Sequence, residues 1–298
     1  MRPAGERARD AAPSPDAISA ASSGSAAIAR SSSGAALPAA SARALRLLDR
    51  SWRIAGTGFS FVVFGIGALL LALFVFPICH LLSPSRPAAE VRVQRVVQRA
   101  YRFFVGLMES LGLIRTRWIG LERLHAPGAK LVVANHPSLI DVVHLIARLP
   151  QADCVVGDAW ARNAWLGLAA RRAGYLTNAR GAEVVAACAE RLRAGRTVVL
   201  FPEGTRSPEA GMQRFQRGAA HAALVAGAPI VPVAIRCEPR MLMKGRPFWA
   251  VPERPAQYTL RVLEPVDPRA LAGADAPPAI AARRVTSWLR ARLAESGA

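Results

Sequence analysis

A long stretch without a charged side chain places the strongest constraint on how this chain of 298 residues can fold. From Ile54 to Cys79 the sequence is uncharged and mostly apolar, and a helix of that length can span the roughly 30 Å hydrocarbon core of a bilayer. Trp52 and Arg53 precede it, as residues that anchor a helix at the membrane interface do. We therefore predict a membrane segment over residues 46–84. A core helix of a soluble domain is the alternative, which the length and the lack of charge disfavour.

The charges on either side of the segment do not decide its orientation. Arginines precede it and follow it, so the positive-inside rule gives no clear direction. The segment could cross the bilayer, or it could be a re-entrant helix that breaks near Gly65–Gly67 or at Pro77 and returns to the same face. From the sequence both arrangements stay open.

The regions before and after the membrane segment differ in composition. Residues 1–45 consist largely of Ala, Ser and Gly, with too few large apolar groups to offset the entropy lost on ordering, so we expect a disordered tail. Residues 88–113 mix Arg and Gln with apolar residues at helical spacing, which predicts an amphipathic helix. Such a helix suits an anionic membrane surface, and a helix packed on a catalytic domain would show the same pattern. Its apolar side carries Val93, Val96, Val97, Ala100, Phe104, Leu107 and Leu111.

Residues 114–298 alternate short apolar runs with helical patterns. Strand candidates lie at residues 131–134, 153–157, 174–176, 197–201, 230–235 and 258–263. Helix candidates lie at residues 142–146, 161–172, 183–194, 215–226 and 279–293. This alternation predicts one α/β catalytic domain with a mostly parallel sheet flanked by helices, preceded by the membrane helix and the amphipathic helix.

The excess of basic side chains raises the question of a nucleic-acid partner. Lys and Arg number 39 against 20 Asp and Glu, for a formal net charge of +19. The sequence has no zinc-ligand spacing, RNP-like aromatic motif or basic heptad region, so we expect membrane lipids as partners and no nucleic acid. The cysteines are scattered without paired spacing, which suggests neither a disulfide framework nor a metal site. They are Cys79, Cys154, Cys188 and Cys237.

His136 lies on the predicted turn between the strand at 131–134 and the helix that follows. Pro137 suits the first turn of that helix, because its missing N–H would have had no partner there. Asp141, one turn inside, can reach the imidazole because helical side chains tilt toward the N-terminus. A carboxylate on one ring nitrogen leaves the other free to take a proton from a substrate hydroxyl. The pair is a candidate catalytic base with its orienting acid. Taken without other motifs, the two residues could equally serve helix capping and surface charge.

A second polar stretch follows another apolar strand candidate. Residues 197–201 run into Pro202-Glu203-Gly204-Thr205-Arg206, and ligand sites of open α/β sheets gather at the carboxyl ends of strands. Arg206 offers paired donors for a phosphate, and Gly204 lets the backbone come close to a ligand. Glu203 could hold Arg206 or a substrate hydroxyl. Without His136 upstream, a solvated loop ion pair would explain Glu203 and Arg206 equally well.

Together the two stretches resemble the glycerolipid acyltransferases, whose members include the 1-acylglycerol-3-phosphate acyltransferases. The resemblance rests on Asn135-His136, then Asp141, then Phe201-Pro202-Glu203-Gly204-Thr205-Arg206, and it covers about residues 131–235. It implies a membrane-bound enzyme that moves a fatty acyl group from acyl-CoA or acyl-carrier protein to the hydroxyl of a lysophospholipid such as 1-acylglycerol-3-phosphate. It implies His136 and Asp141 as catalytic residues, and no bound cofactor or metal. It places substrate binding at Asn135, Arg180, Glu203, Gly204, Thr205 and Arg206.

The resemblance leads us to predict direct attack in a ternary complex. His136 takes the hydroxyl proton, and the resulting alkoxide attacks the thioester carbonyl. Backbone N–H groups after Pro137 could stabilise the oxyanion. An acyl-enzyme on Ser138 is a less favoured route, since it would need the base within hydrogen-bond reach from the next turn.

The stretch from Gly174 to Arg180 departs from the family's middle motif. It keeps Gly174 and Arg180, which looks like a second phosphate ligand, but Ala179 replaces an acidic residue and Asn178 an apolar one. This departure leaves open an acyltransferase with a non-glycerophosphate lysolipid acceptor. A catalytically inactive membrane lipid-binding protein is the other alternative. For the enzyme we expect a bacterial inner membrane, with the catalytic domain on the cytoplasmic side.

Overall fold

Helices open the part of the chain described by this computed structural model, which comprises residues 39–157, 164–177, 181–273 and 275–297. One continuous helical segment is made of α1 (Ala39–Leu70), a π-helical turn (Leu71–Val75) and α2 (Phe76–Leu81). A short turn leads into α3 (Arg86–Ser110). The chain divides into two units, Met1–Ala42 and Arg43–Ala298, and the second contains all the contacts discussed below.

The predicted tail ends earlier than expected. Helix α1 begins at Ala39, so residues 39–45 are helical. This part of the sequence is rich in Ala, the residue with the highest helix propensity, which extends the helix outward from the apolar segment. Residues 1–38 lie outside the described residues, so the tail prediction is untested there.

Among the described residues, one helix, Arg43–Leu81, is long and apolar enough by length and composition to cross a membrane. The predicted break near Gly65–Gly67 is absent, since this part of α1 is regular helix. The π-helical turn lies instead just before Pro77, whose ring clashes with the carbonyl four residues earlier in a regular helix.

One side of α1 packs against the rest of the protein. Trp52 Nε1 donates to the carbonyl of Leu111 at 3.0 Å. The ring of Phe64 lies 4.9 Å from that of Phe104 and 5.8 Å from that of Tyr101. The helical segment therefore rests on α3 over several turns. Its other side is apolar and exposed, at Phe59, Val62, Ile66, Leu70, Leu73, Phe74 and Ile78.

A sheet of seven strands among the described residues forms the centre of the α/β domain, in the order β1-β7-β6-β2-β5-β3-β4. The strands are β1 (Ile114–Ile119), β2 (Lys130–Ala134), β3 (Asp153–Val156), β4 (Leu176–Thr177), β5 (Thr197–Leu200), β6 (Ile230–Glu238) and β7 (Ala256–Val262). Strand β2 lies in the middle, is buried throughout, and pairs in parallel with β5 and with β6.

The sheet is parallel except where β6 and β7 pair antiparallel, so the predicted fold class is confirmed. The sequence pattern missed β1, which pairs with β7 at the edge. Its alternation of Arg115 and Arg117 with uncharged neighbours is a period-two signal that could have revealed it. The β6–β7 connection contains no helix among its residues, which fits an antiparallel pair because only parallel strands need a crossover.

Helices cover both faces of the sheet. They are α4 (Glu122–His125), α5 (Asp141–Ile146), α6 (Ala164–Arg172), α7 (Gly181–Arg193), α8 (Gly218–Ala226), α9 (Pro268–Ala272) and α10 (Pro278–Gly297). Successive side chains of β2 point to opposite faces. Val132 belongs to the core with α3 and α5, and Val133 to the core with α7, α8 and α10.

Buried polar and charged side chains fix α3 to the α/β domain. Arg191 Nη1 donates to Glu90 Oε2 at 2.7 Å, and Gln94 Nε2 donates to Asp153 Oδ1 at 3.0 Å. Arg196 makes two bonds to Asp153, at 2.6 and 2.7 Å. Of the two arrangements that the sequence left open, the structure therefore shows a helix packed on the domain. Its outward side is basic, with exposed Arg92, Arg95, Arg99 and Arg102.

Candidate active site

Two turns meet at the carboxyl ends of β2 and β5. The strands are parallel neighbours, with Val133 opposite Leu200, so the residues that follow them lie at one edge of the sheet. His136 lies on the first turn and Glu203 on the second. Glu203 Oε1 accepts the backbone N–H of His136 at 2.9 Å, which joins the turns directly.

Glu203 is a buried support for these turns. Besides the bond to His136, Oε1 accepts the Ser207 hydroxyl at 2.7 Å, and Oε2 accepts the Gln213 N–H at 2.7 Å. The residue is only 4% exposed. The sequence suggested that Glu203 holds Arg206 or a substrate hydroxyl, or that it forms a solvated ion pair. In the structure, three donors of the protein bond to its buried carboxylate, which indicates a role in holding the two turns together.

His136 and Asp141 form the predicted pair. His136 Nδ1 lies 2.8 Å from Asp141 Oδ2, which also accepts the Ser138 N–H at 2.6 Å. Asp141 is fully buried, whereas the imidazole is 17% exposed and stacks on Phe201 with 4.4 Å between ring centres. Asp141 begins α5 instead of lying one turn inside it, and Pro137 lies in the preceding turn. The Asp141 carboxylate thus bridges the turn between β2 and α5, where it contacts both the Ser138 N–H and the His136 ring.

The arrangement leaves one ring nitrogen of His136 available. A buried carboxylate accepts the proton on Nδ1, which leaves the lone pair on Nε2. Within the described residues Nε2 has no hydrogen-bond partner, and the ring faces a cavity. Such an imidazole can accept a proton from a hydroxyl placed in that cavity.

Asn135 extends the sheet by one side chain. Its amide donates to the carbonyl of Ile235 at 2.8 Å and accepts the N–H of the same residue at 2.7 Å. The side chain therefore continues the β2–β6 pairing at the point where the backbone of β2 turns away. We predicted a substrate contact, but both polar groups are used here, and they position the adjacent His136.

The backbone carbonyl that holds Arg206 belongs to a residue with an unusual conformation. Its Nη1 donates at 2.8 Å to the carbonyl of Leu242, a buried residue with φ of 53°. A non-glycine residue in this left-handed region is strained, and such residues cluster at functional sites. Burial lowers the pKa of Arg206 from its ordinary value, and the charge of Asp141 opposes that effect. A guanidinium keeps its charge under such a shift, so Arg206 presents a positive charge beside His136.

A cavity of about 640 Å³ opens next to these side chains. Gly204, Thr205 and Arg206, for which the sequence predicts substrate binding, line this cavity, and so does Lys244, which the sequence motifs did not reveal. Lys244 is one of two lysines in an Arg-rich chain, and that rarity was the available signal. Arg180, the other predicted phosphate ligand, lies outside the described residues. The rest of the lining is mostly apolar and includes Phe61, Phe64, Val97, Phe104, Ile146 and Val156.

Ser138 is unsuited to the role of an acyl nucleophile. Its side chain is fully buried and accepts a hydrogen bond of 2.6 Å from the Tyr258 hydroxyl. The backbone donors of this turn are also occupied, since Asp141 accepts the Ser138 N–H and Leu242 accepts the Leu139 N–H at 3.3 Å. The structure therefore corrects the expectation that these two N–H groups stabilise an oxyanion.

His144 has a structural role. Its Nδ1 lies 2.9 Å from the Ile140 carbonyl, and its ring stacks on Tyr258. Burial lowers the pKa of His144, which favours the neutral ring. In the parts of the chain that the structure describes, no cluster of His, Cys, Asp and Glu is arranged to hold a metal ion.

Comparisons with known proteins find acyltransferases. A family model described as Acyltransferase matches residues 115–236. The 1-acyl-sn-glycerol-3-phosphate acyltransferase alpha of Mus musculus is 27% identical over 222 residues, which cover 70% of this chain and 72% of the mouse protein. The lyso-ornithine lipid O-acyltransferase of Pseudomonas aeruginosa is 32% identical over 198 residues, which cover 64% of this chain and 69% of that protein.

A solved structure has the same fold. The crystal structure of the 1-acyl-sn-glycerophosphate (LPA) acyltransferase PlsC from Thermotoga maritima matches with a TM-score of 0.62 and 21% identity, over 85% of this chain and 98% of the other. These sequence and fold matches confirm the resemblance noted from the motifs. The chain belongs to the acyltransferase family that includes the 1-acyl-sn-glycerol-3-phosphate acyltransferases and the lyso-ornithine lipid O-acyltransferase.

Proposed function

We propose that this protein transfers a fatty acyl group from a thioester, acyl-CoA or acyl-carrier protein, to the hydroxyl of a lysophospholipid, with His136 as the general base. One observation carries the proposal. His136 Nδ1 lies 2.8 Å from the fully buried carboxylate of Asp141, while the ring faces a cavity that also receives Arg206. This arrangement supports the proposal, because a base, its orienting acid and a cation would then surround one space.

The chemistry proceeds by direct attack. His136 Nε2 takes the proton of the lysolipid hydroxyl as its oxygen attacks the thioester carbonyl carbon, and Asp141 stabilises the imidazolium that forms. The new C–O bond gives a tetrahedral intermediate, which collapses by breaking the C–S bond. The thiolate leaves and takes the proton back from Nε2, so the products are an ester and a free thiol. His136 returns to its starting state.

The cavity supports a lipid substrate. Its apolar walls can bury an acyl chain, and each buried CH₂ group contributes about 0.8 kcal/mol. Arg206 and Lys244 offer positive charge to an acidic headgroup on the acceptor. A chain among the apolar side chains and a headgroup on the cations would bring the substrate within reach of His136.

The second part of the proposal concerns how α1 lies in the membrane. The side of α1 that carries Phe61 and Phe64 lines the cavity, while its opposite side is apolar and exposed. A helix fixed to its own domain in this way fits a segment that lies within one leaflet better than one that crosses the bilayer. Lipid substrates would then reach the cavity from the membrane. A bacterial inner membrane and a cytoplasmic orientation stay predictions.

Two acceptors are supported by specific observations. The relative from Mus musculus is named for 1-acyl-sn-glycerol-3-phosphate, and the one from Pseudomonas aeruginosa for lyso-ornithine lipid. The second acceptor, kept as the alternative, is supported by the 32% identity of that relative and by Ala179, which replaces the acidic residue of the family's middle motif. The cations that line the cavity suit a phosphate and a carboxylate equally well.

A matrix of substrates tests the proposal. The purified chain is incubated with each of the two lysolipids and with each of the two thioester donors, and the products are identified by mass spectrometry. We expect one acceptor to be esterified much faster than the other, and only by protein with His136 intact. If the chain binds lysolipid vesicles but esterifies neither acceptor with either donor, the inactive lipid-binding alternative replaces the enzyme.

A further inference from the structure

Two large aromatic side chains are exposed on the segment between β6 and β7. Phe248 is 48% and Trp249 55% exposed, and their rings meet edge to face with 5.0 Å between centres. Neither ring belongs to the cores of the sheet. Contiguous exposed apolar surface in a soluble protein usually marks a surface that binds something.

This aromatic tip, Phe248 and Trp249, lies beside the apolar side of α1. A Cβ atom built on Gly58 would be 3.5 Å from Phe248 Cε2, so the loop and the helix are in contact there. The neighbouring helix residues Phe59 and Val62 are themselves exposed. Segments far apart in the chain thus form one continuous apolar surface.

Basic side chains flank the aromatic tip. Lys244, Arg246 and Arg254 are exposed on the same segment, against one acidic residue, Glu253. Arg246 has an exposed partner in Glu209 at 3.6 Å, a contact too solvated to neutralise it. Aromatic side chains between basic ones match a bilayer interface, where rings enter the headgroup region and cations meet anionic lipid.

We propose that Phe248 and Trp249 insert into the same leaflet as α1 and form a second contact with an anionic bilayer. The proposal rests on the proposed function only for the membrane location of α1. Because Lys244 lines the cavity and lies four residues before Phe248, this second contact sets the height of the cavity at the headgroup layer. The aromatic tip therefore holds the cavity beside the headgroups of lipids that stay in the membrane.

Depth-dependent quenching tests the insertion without using catalysis. The full chain is bound to anionic vesicles that contain phosphatidylcholine brominated at different depths. The signal of Trp249 is the difference between the wild type and Trp249→Phe. We expect shallow bromines to reduce that signal about twofold, as for an indole at the interface. The matched control is Trp288→Phe, because Trp288 is partly buried against the core on the other face of the sheet. The difference between the wild type and this variant gives the signal of Trp288, which the bromines should not reduce.

A second arm tests the consequence for catalysis. In Trp249→Ser, kcat/KM for a lysolipid presented in anionic vesicles should fall about tenfold, because the indole no longer anchors the site. With a short-chain lysolipid that is monomeric in water, kcat/KM should stay close to the wild-type value.

Three results would overturn the insertion proposal. One is a Trp249 signal that is unquenched at every bromine depth. Another is Trp249 emission that responds to protein concentration without lipid, which would indicate a second copy of the chain as the partner. Equal loss of activity with both forms of the acceptor would assign the tip a purely structural role. A chain with no transferase activity but a quenched Trp249 would disprove the proposed function and leave the insertion standing.

Discussion

The carboxylate of Glu203 accepts the backbone N–H of His136 at 2.9 Å, although the two residues lie on different turns of the chain. This bond sets the backbone from which the imidazole projects. Two more donors of the protein, the Ser207 hydroxyl and the Gln213 N–H, bond to the same buried carboxylate. We therefore regard Glu203 as a positioning residue for His136.

Replacing Glu203 with Gln should lower kcat and leave KM for the acceptor nearly unchanged. The amide has one acceptor oxygen, so at least one buried donor loses its partner, at a cost of about 1–3 kcal/mol in the free energy of unfolding. Steady-state kinetics and urea unfolding measure the two effects. Glu209→Gln is the control, because Glu209 lies in the same connection and is exposed. A rise in KM alone would mean that Glu203 contacts the substrate after all.

Arg206→Lys should weaken binding of the acceptor. The guanidinium can donate to Leu242 and still present further donors to a phosphate or carboxylate, whereas an ammonium loses this paired geometry. We expect KM for the acceptor to rise about tenfold, with a smaller change in kcat. Arg240→Lys is the matched control, since Arg240 donates to the Pro208 carbonyl outside the cavity. Unchanged KM in Arg206→Lys would remove Arg206 from the acceptor site.

Gly67→Leu should shift the preference for acyl chains toward shorter ones. Gly67 lines the cavity, and a Cβ at this position meets no atom within 4 Å, so the larger side chain has room to fill the space. Filling an apolar site that a chain normally occupies changes selectivity by about tenfold per excluded contact. Competition between long and short acyl thioesters measures the shift. Gly65→Leu, which is equally open but does not line the cavity, should leave the preference as it is.

Asp153→Ala should destabilise the fold strongly. Asp153 is fully buried and accepts bonds from Arg196 and Gln94, so its removal takes away the hydrogen-bond acceptor of Arg196 and loosens α3. Breaking a buried pair in this way costs about 3–5 kcal/mol. Thermal unfolding in detergent measures the loss. Glu238→Ala, which removes an exposed partner of Arg236, should cost under about 1 kcal/mol. Equal effects of the two substitutions would show that α3 is held mainly by its apolar contacts.

The sequence predicted the parts of the site that depend on local order. His136 and Asp141 are five residues apart on one turn, so their contact follows from the chain path alone. The two motifs follow neighbouring parallel strands, and this convergence was expected from the alternation of strands and helices.

Contacts between distant segments could not be predicted in the same way. The partner of Asn135 is Ile235 on β6, and the carbonyl that holds Arg206 belongs to Leu242. Nothing in the local pattern indicates that either residue lies near the site. Lys244 reaches the cavity only because the β6–β7 connection folds back over it. Glu203 looks exposed in its motif, yet it is buried, and one of its partners is the backbone of His136 on the other turn.

The central claim is that His136 acts as the base, and the rate of acyl transfer by His136→Ala tests it most directly. The purified variant is given the preferred lysolipid and a labelled acyl thioester, beside wild type and His221→Ala, whose histidine lies on α8 among the helices of the other face. We expect His136→Ala to lose at least about 10²-fold in kcat and to keep its vesicle binding, and His221→Ala to retain activity. A His136→Ala protein that transfers the acyl group at the wild-type rate would contradict the account.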